Sequence, residues 1–183
     1  NNIEAIHFFQ YAFFAILCFR ITENIHRTMI ISTLAGFFDE LFQYLILAPE
    51  TSDYYDFNDV VINTVGVGAG LLIIRVMQWN YNCIPLKKLI LMPEVIISLS
   101  LILIFIIGQQ AGYFFVLLDP DNPTAFSLLK KLPEFFWTEF PNQNIKYHIL
   151  LPVSGITITF LLWCFYFPLG LISQTRESVK SII

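Results

Sequence analysis

The chain has 183 residues, 56% of them hydrophobic and 13% charged, with a mean hydropathy of +0.67. Soluble domains sit near half apolar and a quarter charged, so this composition falls in the membrane class. A net charge of -4 offers no basic surface for nucleic acid. Cys18, Cys83 and Cys164 are odd in number and scattered, and they indicate neither a disulfide framework nor a CxxC metal or redox site.

Apolar runs long enough to cross a hydrocarbon core of roughly 30 Å recur along nearly the whole length. The pattern predicts an all-α polytopic bundle of about five spans: Ile3 to Ile21, Met29 to Leu47, Asp59 to Trp79, Leu89 to about Leu118, and His148 to Ser173. The fourth is too long for one straight helix, and Pro93, Gly108 and Gly112 leave room for a kink or an interfacial turn. The connector after it carries Phe126, Leu128, Leu129, Leu132, Phe135, Phe136 and Trp137, interrupted by Lys130, Lys131 and Pro133. It reads either as a broken amphipathic helix in the interface or as a surface loop with apolar anchors.

Lys and Arg accumulate on the cytoplasmic side of membrane proteins. Arg20 and Arg27 flank the first connector, Arg75, Lys87 and Lys88 the third, and Arg176 and Lys180 follow the fifth span; the second connector, "APETSDYYDFN", holds acids and no base. This alternation predicts an outward N-terminus and an inward C-terminus in a multi-pass protein of the cytoplasmic membrane. No signal peptide is visible, and an outward start predicts a missing upstream span. Two units are expected: a three-helix core over residues 1–80, then two further spans over residues 81–183, joined by an extracytoplasmic, partly interfacial loop.

The second span raises the functional question. "GFFDELFQYLIL" places Asp39 and Glu40 side by side near the membrane centre, where a carboxylate costs roughly 2.5 to 3.5 kcal/mol on insertion scales. Successive helical residues diverge by about 100°, so the two acids need separate partners, and Gln43 at i+4 and i+3 reaches either. The third span carries Asp59, Asn63, Gly66 and Gly70 on one stripe, with Gly66 and Gly70 forming a GxxxG that admits a neighbouring backbone. On the first span, Glu4, His7 and Tyr11 share a face. Three polar stripes thus fall at one end of the bundle, the end that the Lys and Arg distribution places outside. Taken singly, Tyr11, Gln43 and Asn63 read as interhelical glue contributing on the order of 0.6 to 2 kcal/mol each; several carboxylates and a histidine together read as a site for acid–base work or proton exchange.

"EAIHFFQYAFFAIL", "DELFQ" and "DVVINTVGVGAG", in this order on three successive spans, resemble VanZ-like membrane proteins, whose pattern is a His-Phe-x-x-Tyr-type helix, a DExxQ helix and a DxxxNxxG helix. His7, Tyr11, Asp39, Glu40, Gln43, Asp59, Asn63 and Gly66 match that pattern. The family's Pro-Gly-Arg after DExxQ is replaced by "APETS", so no arginine stands in that connector. The resemblance covers roughly residues 1 to 80 and implies a cell-envelope protein, with low-level teicoplanin resistance associated with the family's namesake.

The leading expectation is an outer-leaflet polar pocket that binds or acts on a lipid-linked or amphipathic ligand: membrane lipid, or a lipid-linked cell-wall intermediate. His7, Asp39, Glu40 and Asp59 would be its acid–base groups, and Glu4, Tyr11, Gln43 and Asn63 its binding or orienting groups. Whether it is an enzyme stays open. The alternative is a proton- or ion-coupled transporter using the same acids, and a third reading is a scaffold packed through GxxxG. No cofactor is expected, and no metal site is assigned, since HExxH and close histidine pairs are missing; His26 and His148 read as interfacial residues at span ends.

Overall fold

The computed structural model describes residues 3–47, 53–77, 86–111, 128–129, 137–139 and 146–171. The chain is an all-α bundle. Helices α1 (Ile3–Thr22), α2 (Ile25–Phe42) and α3 (Phe57–Val76) pack together, followed by a short α4 (Leu86–Leu89), α5 (Pro93–Gln110) and α6 (Pro152–Tyr166). Among the described residues, four stretches are long and apolar enough to cross a membrane: Ala5–Thr22, Ile25–Leu47, Phe57–Val76 and Pro152–Gly170. Their outer faces are those of a protein solvated by lipid: Ile6, Phe9, Phe13 and Leu17 form an exposed stripe on α1, while Tyr11, Ala15 and Phe19 turn inward.

Helix starts follow local chemistry. α2 begins one turn earlier than its apolar run suggests, because Asn24 caps it, its Oδ1 accepting from the Arg27 amide at 2.9 Å. α3 begins at Phe57 under a cap by Asp56, and α6 opens on Pro152, whose fixed φ suits the first helical position. The α1–α2 turn passes through Glu23 at φ 47°, and Asn24 is buried there. Asn24→Ala is expected to lower stability by about 1 kcal/mol, read as an earlier midpoint in a detergent unfolding titration.

Small residues set the crossings. A Cβ added at Gly66 would overlap the Phe8 carbonyl oxygen, and one at Gly70 would overlap that of Ala12 and stand 3.0 Å from the Ala15 Cβ. The predicted GxxxG is therefore the α1–α3 seam, around which Val67, Leu71 and Ile74 are fully buried. α6 lies on the opposite side of α3, with Gly155 against the Phe57 ring and Gly68 against Tyr166.

The fourth predicted span starts later than expected, and its predicted end, beyond residue 111, lies outside the described residues. α4 ends at Leu89 and α5 starts at Pro93, since a proline lacks the amide that a continuous helix needs and is favoured at a helix start. Its apolar stretch is Pro93–Gly108; Gly112 lies outside the described residues. At the other end of α2, Arg27 donates through Nε to Glu94 Oε1 at 2.9 Å and through Nη2 to the same oxygen, tying α5 to the bundle.

The long connector also departs from expectation. Most of the suggested amphipathic helix lies outside the described residues, but Trp137 is in an antiparallel hairpin of β1 (Trp137–Glu139) and β2 (Lys146–His148), with Trp137 opposite His148. Aromatic and β-branched residues in "WTE" and "KYH" favour extended backbone. The Tyr55 amide donates to the Leu128 carbonyl at 2.9 Å, and Asn58 Nδ2 donates to the His148 carbonyl at 2.6 Å. The second half of the chain thus covers the α2–α3 end of the core.

His26 is a further correction. It is 2% exposed, with its ring 4.5 Å from that of Phe167 and Nε2 3.0 Å from the Phe167 carbonyl oxygen. It is a packing residue between α2 and the end of α6, where Gly170 makes room for the imidazole.

Candidate functional site

α1, α2 and α3 bring their polar stripes together at the end of the bundle where α2 leads into α3. His7 Nδ1 stands 3.9 Å from Glu40 Oε1, with the two side chains 15% and 4% exposed. One donor atom each from His7, Glu40 and Asp59 lie within 4.8 Å of one another. Gln43 Nε2 approaches the same Glu40 oxygen at 3.5 Å. Asp39 turns elsewhere, accepting from the Tyr11 hydroxyl at 3.2 Å. The two neighbouring acids therefore have different partners, as their 100° divergence requires.

Asn63 is 0% exposed and faces the Glu40 carboxyl, yet neither its Nδ2 nor its Oδ1 makes a hydrogen bond; His7 Nδ1 is likewise buried without one. A buried amide left unpaired costs about 1 to 3 kcal/mol, and such groups in a cluster mark a place where a further polar group is wanted. Glu4 lies on α1 one turn before His7, and its side chain falls outside the described residues. The connector "APETS", where the family pattern has arginine, lies outside them as well.

Two residues of this region were not legible beforehand. Gly36 admits the contact between the helices: a Cβ there would stand 3.1 Å from the Asn63 Cβ and 3.2 Å from the Tyr11 ring. Its position four residues before Glu40, on the same stripe, is the signal that would have found it. Tyr55 is 1% exposed and donates to the Phe37 carbonyl at 2.8 Å. Burial first, and then the charges of Glu40 and Asp56, push its hydroxyl well above the usual phenol range, so it stays a donor. Nothing in the acidic connector around it marks Tyr55 as a buried plug.

A cavity of about 280 Å³ lies on the side of α2 and α3 away from α1, reaching from Phe37, Phe57 and Val60 towards Ser98, Thr159 and Trp163. Its walls are almost wholly apolar. Trp163 Nε1 donates to Thr33 Oγ1 at 3.1 Å within it. Phe57 and Val60 sit on the same turns of α3 as Asp59, which places the mouth-end of the cavity level with the polar cluster.

Long apolar helices enclosing a half-buried His–Glu–Asp cluster define a multi-pass helical membrane protein. Residues 3–78 match the VanZ/LLP1 family, a segment holding all three core helices and every residue of the cluster, and this part of the chain is similar to VanZ-like membrane proteins. No curated protein and no solved structure gives a significant match.

Proposed function

We propose that this cluster receives the polar head of a lipid-linked or amphipathic ligand in the outer leaflet of a bacterial cytoplasmic membrane. The observation that carries the proposal is the meeting of His7, Glu40 and Asp59 from three helices around an unpaired, fully buried Asn63. A structural polar contact is satisfied by its own partners; this one retains unused donors and acceptors. Glu40 with His7 supplies proton exchange, Asp39 held by Tyr11 orients the head group, and the neighbouring apolar cavity takes a hydrocarbon portion. Arg20, Arg27, Arg75, Lys87 and Lys88 lie towards the opposite end of the helices, which supports an extracytoplasmic cluster by the positive-inside rule. The similarity of residues 3–78 to VanZ-like proteins supports a role in the cell envelope, with lowered teicoplanin susceptibility as the outcome.

A transporter using the same acids calls for a counterpart in the second half of the bundle. α5 and α6 carry one acid between them, Glu94, and it is held by Arg27. This favours the ligand site.

Cells expressing the chain at its normal level are expected to lose its effect on teicoplanin susceptibility with Glu40→Gln or His7→Ala while the protein still accumulates in the membrane. Loss of an acid–base group costs on the order of 10² to 10⁴ in rate, enough to abolish a low-level phenotype. Unchanged susceptibility in both variants would count decisively against the site.

A further inference from the structure

We infer that His7, Glu40 and Asp59 bind a divalent transition-metal ion, with Asn63 Oδ1 as an added oxygen ligand. The donor set comes from three helices: an imidazole and two carboxylates, with donor atoms within 4.8 Å of one another. Ligands about 2.1 Å from a tetrahedral ion stand roughly 3.4 Å apart. His7 Nδ1 and Glu40 Oε1 at 3.9 Å are half an ångström or so from that spacing, a rotamer adjustment rather than a helix movement.

Charge points the same way. Two carboxylates brought together in an apolar bundle repel one another and lose their water. A divalent ion cancels both charges while a neutral imidazole coordinates it, so the liganded cluster is neutral overall. The independent observation is Asn63, 0% exposed, facing Glu40, with neither amide atom hydrogen-bonded. An amide oxygen without a donor is a ready ligand for a hard or borderline cation. One nitrogen with two or three oxygens suits Zn²⁺ or Mn²⁺ rather than a thiolate-seeking metal. Such a site keeps a position open for an oxygen of the ligand's head group, which it would polarise. The inference deepens the proposed lipid head-group site and rests on the same residues.

The test uses the full chain, purified in nanodiscs and stripped with a chelator, then titrated with Zn²⁺ by calorimetry and with Mn²⁺ by electron paramagnetic resonance. One ion per chain is expected. Losing an outer-shell partner of a metal costs about 10- to 100-fold in affinity; Glu40→Gln and Asp59→Asn, which remove direct ligands, are expected to weaken binding at least that far, and Asn63→Leu within that range. Should the acid variants fail to fold, pulsed resonance on Mn²⁺-loaded wild type still decides, since one imidazole nitrogen must couple to the ion. Absence of stoichiometric binding of both ions, absence of that coupling, or unchanged affinity in well-folded Glu40→Gln and Asp59→Asn overturns the inference. If no ion binds while Glu40→Gln still abolishes the teicoplanin effect, the metal is rejected and the head-group site stands.

Discussion

Gly66→Ala is expected to destabilise the bundle by about 1 to 3 kcal/mol, and Gly70→Ala by a similar amount. The new methyl would run into the carbonyl oxygen of Phe8, and at Gly70 into that of Ala12. A backbone carbonyl inside a helix cannot swing aside, so α1 and α3 must separate. In a bilayer no hydrophobic drive restores the contact, because lipid tails are as apolar as the helix faces. Gly68→Ala gives the control: its methyl would meet the outer end of the Tyr166 ring, a side chain with rotamers to use. Reversible unfolding in mixed micelles should rank Gly66→Ala and Gly70→Ala well below Gly68→Ala. Equal effects at the three positions would show that the α1–α3 seam is not the tight contact. Because His7 and Tyr11 ride on α1, the seam variants are also expected to loosen the cluster and lose the proposed susceptibility effect.

Asn63→Leu is the complementary case, expected to separate stability from function. The two side chains are close in volume, and the leucine removes an amide that is buried without a hydrogen bond. Relief of that penalty is worth up to about 1 to 3 kcal/mol, so the variant should unfold no earlier than wild type. It should nevertheless lose the proposed effect on teicoplanin susceptibility, the usual exchange where a site holds polar groups ready for a ligand. A clear fall in stability would instead make Asn63 a structural residue. Retention of the phenotype at full stability would remove it from the site.

Much of the fold and cluster was legible because both rest on local regularities. Hydrophobic length marks membrane spans. Helical periodicity put Asp59 and Asn63 on one stripe with Gly66 and Gly70, His7 with Tyr11, and Gln43 within reach of Glu40, where it stands at 3.5 Å. It also showed that Asp39 and Glu40 could not act as a pair. Proline chemistry anticipated the break before α5, which starts at Pro93.

Periodicity carries no information about which stripe meets which. That Tyr11 takes Asp39 while His7 takes Glu40 depends on the rotation of α1 against α2, decided by carbonyl contacts at Gly66 and Gly70 and by the space at Gly36. His26 was misread and Tyr55 passed over for the same reason: a polar aromatic residue near a span end is buried or exposed according to what folds over it. Over Tyr55 that is Leu128, more than 70 residues away, and over His26 it is Phe167 and Gly170. By itself the sequence determined the class of protein, the helices, the end of the bundle that is polar and the candidate groups, all functions of spacing within a few turns. Only the tertiary structure decided the pairings, the unpaired state of Asn63 and the cover from the second half of the chain, because these arise from contacts between segments distant in the chain.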